Sequence, residues 1–360
     1  LLDSFLKLLK NIKLGIPKLN KLLIEKCSPN SIKKIHIKKL FNKKIAVDIS
    51  IYLYKFLGEG YFMEQVYLFL SIFKYYCIQP IFVFDGKPPA EKNALLKRRY
   101  CEKQEAQTEY NLLEKQVANI SDPLLLSEVQ HKMNSLKKRM VRLTYYHIDQ
   151  VIELIRAFGF DYYLAPHEAD QLCVHLTVCG KTYACLSNDM DIIVSGCPFV
   201  IRNLNLMTHE VYLYDTQSIL SDLQLTFNEF REIIVLSGTD YELSVDSSET
   251  GTALVKFPNI SIKKAFEYYK QYKSIENVET RFIEILCDDV DICENTFYDW
   301  LHNKGIIQKH TMKKICDMFD ISNYTTEMNE FIEKNTPTEK SKMNVPAIKM
   351  IMQKYHFIFV

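Results

Sequence analysis

Three short apolar runs, Lys43–Ser50 (KKIAVDIS), Pro80–Gly86 (PIFVFDG) and Lys181–Asp189 (KTYACLSND), are rich in β-branched or aromatic residues, and each closes on an aspartate. Near-continuous apolar runs of this length predict parallel strands buried on both faces. Between them lie stretches with helical spacing of apolar positions, such as FMEQVYLFLSIFKYY and HIDQVIELIRAFGF. Strand and helix alternate, which predicts an α/β fold with a mainly parallel central sheet flanked by helices. In that architecture ligands sit beyond the carboxyl ends of the strands. Asp48, Asp85, Asp189 and Asp191 are therefore expected on one rim.

A fourth segment, HEADQLCVHLTV, adds Glu168 and Asp170 directly after Pro166, in the first turn of an expected helix. Carboxylates are favoured at a helix N-terminus, and a lone aspartate after a strand is usually a cap or turn former. Those local roles do not account for six acids at one rim, because carboxylates brought together repel and raise one another's pKa. A cation is expected among them. Oxygen ligands without a histidine or cysteine cluster favour a hard ion, magnesium or manganese, over zinc. Several carboxylates can hold two such ions ~4 Å apart, the arrangement that serves phosphodiester hydrolysis. Asp240 in LSGTDYE is a candidate to complete the second site.

With 360 residues, 48% of them hydrophobic and 25% charged, the chain is long enough for one large domain or two smaller ones. No apolar run reaches the ~20 residues of a membrane helix, and the opening LLDSFLKLLKNIK lacks the features of a secretory signal, so an intracellular protein is expected. The ten cysteines include no C-x-x-C pair. Cys173, Cys179, Cys185 and Cys197 read as free buried thiols in a reducing compartment. Cys287, Cys293, His302 and His310 fit no zinc spacing.

The net charge of +1 conceals an uneven distribution. Lys87, Lys92, Lys97, Arg98, Arg99 and Lys103 form one basic cluster, and Lys132, Lys137, Lys138, Arg139 and Arg142 another. Both lie on helical stretches separated by the Ser121–Pro123 break. Alone, each cluster reads as a solvated helix face.

The blocks LGIPKLNKLL (Leu14–Leu23), VDISIYLYKFL, VFDGKPP, APHEADQLC, NDMDII and SGTDYE, in this order, resemble the flap endonucleases of the structure-specific 5′ nuclease superfamily. The resemblance is firm over Leu14 to Asp240 and weak beyond. It implies a PIN-like nuclease core with a helical arch insertion and a helical C-terminal region. The implied divisions are 1–13 as an N-terminal extension, 14–89 and 146–245 as nuclease regions, 90–145 as the arch, and 246–360 as a helix-hairpin-helix-like and helical region. It implies Asp48, Asp85, Glu168, Asp170, Asp189, Asp191 and Asp240 as ligands of two magnesium ions, with manganese as a substitute. Lys92 and Arg99 fall where the family contacts the scissile phosphate, and Tyr54 where it stacks on a terminal base. Lys87, Lys137, Lys138, Arg139, Arg142, Lys263 and Lys264 become expected DNA contacts.

Three departures stand out. Leu1 to Lys13 precede the position at which family members begin, and the extension is expected to be a fragment or upstream-translation artefact, or else to pack near the site. Position 170 is usually glutamate in the family. In the expected Gly-rich hairpin after Asp240 only Gly251 remains, which implies a weaker grip on duplex, with Lys263 and Lys264 opening the following helix. The expected partner is DNA with a 5′ flap or junction, bound by a monomer away from membranes. A sliding clamp would be a further partner, although Gln353 lacks its motif spacing, and MQKYHFIFV is expected to pack on the body. The activity implied is flap cleavage and 5′–3′ exonuclease action in replication or repair, in the nucleus of a eukaryotic cell or otherwise at the site of DNA replication. Other readings are a 5′ exonuclease or junction resolvase of the same superfamily, a non-catalytic DNA-binding relative, or a metal-dependent phosphatase.

Overall fold

The three apolar runs become the centre of a seven-stranded sheet in the computed structural model, which describes residues 19–117, 122–237, 239, 243–245, 253–255, 261–272, 311–336 and 342–359. The strands are β1 (Ile32–His36), β2 (Lys44–Asp48), β3 (Gln79–Phe84), β4 (Asp161–Leu164), β5 (Ala184–Leu186), β6 (Phe199–Arg202) and β7 (Glu210–Asp215). Their spatial order is β1-β7-β6-β5-β2-β3-β4. From β4 through β6 the strands are parallel; β7 then turns back beside β6, and β1 runs antiparallel to β7. The chain leaves β2 toward β3 on one side and reaches β5 on the other, so the order reverses at β2 and opens a crevice at the carboxyl ends.

Alternation along the strands divides the interior into two apolar layers. Ala46, Ile81, Val83, Cys185 and Val200 face one layer, and Ile45, Val47, Phe82, Phe84 and Leu186 the other. The first layer is covered by α1 (Leu19–Lys26), α7 (Ala169–Val178), α8 (Asp191–Val194), α9 (Thr216–Leu223), α10 (Phe227–Ser237), α11 (Ile262–Tyr272), α12 (Thr311–Met318) and α13 (Thr325–Asn335). The second is covered by α2 (Ile49–Glu59), α3 (Phe62–Tyr75), α6 (Tyr145–Phe158) and α14 (Val345–Gln353). Aromatic rings fill this second layer: Tyr52 stacks on Phe69 at 4.8 Å, and Phe69 meets Phe73 edge-on at 5.0 Å. Two short strands, β8 (Leu243–Val245) and β9 (Ala253–Val255), pair antiparallel.

The stretch expected to form the arch folds into two helices, α4 (Asn93–Val117) and α5 (Pro123–Met140), packed against each other. Asp122 caps α5 by accepting from the Leu124 N–H at 2.9 Å, and Pro123 occupies the first turn, where its missing N–H costs nothing. Burial among the described side chains of α4 and α5 is confined to Leu95, Ala106 and Leu136. The pair therefore stands out from the body as a polar hairpin, and α4 alone extends about 37 Å at ~1.5 Å per residue.

At the far end of the chain, Phe357 and Phe359 close on Tyr67 at 4.9 and 5.7 Å, so the terminal segment packs on the body. No described helix is long and apolar enough to cross a membrane. Cys173, Cys185 and Cys197 are buried thiols, but Cys179 is exposed, because it sits at the C-cap of α7 beyond the buried face. The 1–13 extension, Asp240, Gly251, Cys287, Cys293, Trp300, His302 and His310 lie outside the described residues.

Candidate active site

Asp48 ends β2 and stands at the N-cap position of α2, yet its carboxylate makes no capping bond to that helix. It is instead 5% exposed and accepts a 2.8 Å hydrogen bond from Ser187 Oγ, at the end of β5. Burial first, then Asp85, Asp170 and Asp189, push its pKa well above the ordinary aspartate value; the Ser187 bond works the other way. The four aspartates brought by separate segments are thus close enough to repel one another.

Asp85 follows β3, and its Oδ1 accepts from the Ala169 N–H at 3.0 Å. The carboxylate thereby satisfies an orphan amide at the start of α7 from a neighbouring loop. This approach depends on Gly86, whose N–H donates to the His167 carbonyl at 2.7 Å. A Cβ at this glycine would stand 1.9 Å from the Ala165 carbonyl oxygen.

Glu168 is the N-cap residue of α7 but also makes no side-chain capping bond. It accepts from the Lys92 ammonium at 2.8 Å, with only 12% of the lysine side chain and 17% of the glutamate side chain exposed. Asp170 lies in the first turn and accepts from the Gln171 N–H at 2.7 Å. Burial and the Glu168 carboxylate push the Asp170 carboxyl up to about 7, against the opposing pull of Lys92. For Lys92 itself burial favours the neutral form, but Asp170, Glu168 and Asp191 outweigh it and hold the ammonium above the ordinary lysine range. Lys92 therefore serves as a cation among the acids.

The last two acids come from the turn after β5. The Asp189 N–H donates to Ser187 Oγ at 3.1 Å, and Asp189 Oδ1 accepts from the Asp191 N–H at 3.0 Å. Asp191 begins α8 and is 6% exposed. Buried Arg202 anchors this turn by donating to the Asn188 carbonyl at 2.7 Å and to Asn20 Oδ1 at 2.8 Å. Neither Ser187 nor Arg202 is signalled by sequence pattern, since a serine after a strand and an arginine at a strand's end are ordinary there.

Tyr54 lies one turn along α2, 44% exposed, with the Lys103 ammonium 5.4 Å above its ring. Burial and then Asp85 raise the Tyr54 phenol, while Arg99 pulls it down, so the tyrosine lies between rim and arch. The Lys103 pKa is lowered, by burial first and then by Arg142 and Arg99. Three cations from both arms of the arch thus converge at its base; Lys103 joins Arg99 and Arg142, and only contact across the two helices reveals it. Lys137 lies over the Tyr110 ring at 5.5 Å, higher on the hairpin, while Lys87, Lys138 and Arg139 are exposed. Lys263 and Lys264 are exposed in the first turn of α11, which packs on α10.

The rim's donor set suits a hard divalent cation, being all carboxylate oxygen with mutual repulsion to relieve. Among the described residues no three acidic, histidine or cysteine side chains close around a single point as a metal cage would. Magnesium does not require such a cage, since it retains several waters and binds through one or two carboxylates together with substrate phosphate. The side chains present therefore fit an open, hydrated ion.

The XPG N-terminal domain matches residues 14–106, and the XPG I-region residues 159–240. Flap endonuclease 1 of Mycosarcoma maydis is 31% identical over 285 residues, which cover 74% of this chain and 70% of that protein. Flap endonuclease 1 of Homo sapiens is 29% identical over 311 residues, covering 81% of this chain and 73% of that protein. In fold, the chain is similar to the catalytic core of Rad2 in complex with DNA substrate, with a TM-score of 0.61, 18% identity and coverage of 94% of both chains. It is also similar to human GEN1 in complex with Holliday junction DNA, with a TM-score of 0.53, 16% identity and coverage of 95% of this chain and 74% of that one.

Proposed function

The chain belongs to the XPG family and is related to its flap endonucleases, and from that premise we propose that it hydrolyses phosphodiester bonds in DNA at 5′ flaps, near the junction of single and double strand. The observation that carries this reading is the collection of Asp48, Asp85, Glu168, Asp170, Asp189 and Asp191 on one rim, with Glu168, Asp170 and Asp191 beside the partly buried Lys92 ammonium and with Tyr54 and three further cations next to it. A phosphatase for small monoesters would need the acids but not the arch.

In this proposal the carboxylates and Asp240 hold divalent magnesium, or manganese in its place, and the bound cations supply charge stabilisation for the phosphoryl centre and its leaving oxygen. Lys92 and Arg99 meet the scissile phosphate from the base of the arch, where fixed cations stabilise developing negative charge without having to reorganise. The Lys92 ammonium, paired here with Glu168, would turn to an arriving phosphate, and Glu168 is one of the residues that would hold the cation. Tyr54 offers its ring face to the terminal base, a contact any base accepts. Lys137, Lys138, Arg139 and Arg142 line the single strand's path on the returning arm. Lys263 and Lys264 place two ammonium groups at a helix N-terminus, a combination suited to duplex phosphate. The work is DNA replication or repair, in the nucleus where the cell has one.

The test is cutting of a labelled 5′-flap duplex alongside a blunt duplex and a small phosphomonoester. Cleavage confined to the base of the flap is expected; equal cleavage of the blunt end would make the protein an exonuclease, and monoester hydrolysis would remove the flap reading. The Lys92–Glu168 ion pair favours one second reading, a DNA-binding relative whose own lysine neutralises the rim. That reading predicts flap binding with no cutting at any divalent concentration.

A further inference from the structure

The end of the sheet opposite the acid rim carries a second concentration of charge. Lys33, Lys34, Lys38, Lys39, Lys43 and Lys44 fall within one short segment, and no acid occurs between Glu25 and Asp48. All six are exposed. Lys33 and Lys34 lie on the edge strand β1, whereas Lys44 opens β2 as Asp48 closes it, so Lys43 and Lys44 lie roughly 13 Å of strand from the carboxylates at ~3.3 Å per residue. The end of α3 joins them there. The Asn42 N–H donates to the Cys77 carbonyl at 3.2 Å, and the Gln79 N–H to the Lys43 carbonyl at 2.9 Å, which fixes Lys74, Tyr75 and Cys77 beside the lysine segment. Between the two segments is a cleft of about 360 Å³ lined by Asn42, Lys44, Lys74, Cys77, Phe160 and Asp161 among others.

Among the described residues, acids leave most of this charge uncompensated, and the Lys43 and Lys74 ammonium groups lie over the Tyr183 and Phe160 rings at 4.7 and 5.8 Å. Glu210 pairs with Lys34 at 2.8 Å, and Asp161 is the acid lining the cleft. Exposed rings are interleaved with the lysines: Phe41 is 59% exposed and Tyr75 is 77% exposed. A solvated face mixes charge signs, whereas this one sets exposed rings among charges of one sign. An acidic peptide would use the ammonium groups but not the rings, and duplex DNA presents phosphates with its base faces stacked away. A single strand offers both phosphates for lysines and base faces for Phe41 and Tyr75.

We propose that this end of the sheet is a second nucleic-acid surface, one that takes a single strand without regard to sequence while the rim and arch engage the flap. It rests on the reading that the chain handles nucleic acid, but its site is separate from every residue assigned to cleavage. Cys77, exposed in the cleft, reports on it, and Cys101, exposed on the arch, reports on the front.

The experiment keeps the full chain in EDTA, where the proposed cutting cannot occur, and adds oligothymidylate of about 20 nucleotides, longer than the ~4–16 one such surface covers. Alkylation of Cys77 by iodoacetamide, read by peptide mass spectrometry, should slow several-fold. A variant carrying Lys38→Gln, Lys39→Gln, Lys43→Gln, Lys74→Gln and Tyr75→Ala should bind the oligonucleotide at least tenfold more weakly. Its salt dependence should flatten by roughly 0.7 in log–log slope for each phosphate that the variant leaves unneutralised, and its rate on a short flap should be unchanged. Protection of Cys101 with none at Cys77 would overturn the proposal, as would protection of Cys77 by polyglutamate and not by the oligonucleotide. The footprint on the unmodified chain decides the matter even if the variant fails to fold. If flap cutting is absent altogether, the cleavage reading falls while Cys77 protection still tests this surface.

Discussion

Lys92 occupies the place where the rim most needs positive charge, close to Glu168, Asp170 and Asp191. Removing it would leave carboxylates partly buried without their counter-charge and, in the proposed reaction, deprive the phosphate of a fixed cation. Lys92→Ala is expected to lower single-turnover cutting on the order of 10²- to 10³-fold, the usual cost of losing one such stabilising group. Flap affinity measured in calcium should change far less, and a parallel loss of binding would make Lys92 a docking residue instead. The identities of the acids were legible in sequence because Asp48, Asp85, Asp189 and Asp191 follow recognisable apolar runs and Glu168 and Asp170 open a helix after Pro166. Their restraints were not: the 2.8 Å bond from Ser187 to Asp48, the Arg202 anchor beneath Asn188 and the approach of Lys103 to Tyr54 join residues distant along the chain.

At the scale of elements, the junction of β3 with the loop into α7 sets the distance between Asp85 and Glu168. Gly86 permits it by having no Cβ, which would stand 1.9 Å from the Ala165 carbonyl oxygen. Gly86→Ala must push the two segments apart, which should cost about 1–3 kcal/mol as overpacking does. The melting temperature should fall, and cutting should fall further than the folded fraction accounts for, because both acids move. Activity that merely tracks the folded fraction would show that the rim tolerates the displacement. The strands β2, β3 and β5 were readable as buried apolar runs, and the break between the two helical stretches as Ser121–Pro123. The strands β1 (IKKIH) and β7 (EVYLYD) were not, since charged or polar residues interrupt them and Ile35, Val211 and Tyr214 alone are buried in the two apolar layers. Elsewhere, the 3.3 Å ion pair of Arg231 with Asp320 ties α10 to the segment after α12. Burial tends to raise the Asp320 pKa, but bonds from Ser322 and the Arg231 charge outweigh it and lower the value. A depressed carboxylate stabilises the fold above its unfolded pKa of ~3.9, and this contribution is lost as pH falls through the lower folded value. Asp320→Asn should therefore cost about 0.5–1 kcal/mol near neutral pH, a figure kept small by the exposure of the aspartate. That difference from the unmodified protein should disappear in strong acid, in a urea titration at each pH.

At the scale of the molecule, two apolar layers clamp a sheet whose crevice holds the acids at one end and whose other end is lined with lysine. The polar hairpin of α4 and α5 rises beside the acidic end, with cations at its base where Tyr54 meets it. The α/β class and the side on which the acids converge followed from strand and helix alternation alone. The antiparallel β7 and β1 at the sheet's edge did not, because pairing direction depends on contacts that no local pattern records. The proposed cutting requires the carboxylate rim to be a divalent-metal centre for phosphodiester hydrolysis. The decisive measurement is the single-turnover rate on a 5′-flap duplex, with magnesium and with EDTA, for the unmodified chain and for Asp189→Ala. Cutting should require the ion and fall at least 10²-fold in the variant, with flap binding retained. Cutting that persists in EDTA, or that Asp189→Ala leaves intact, would contradict this.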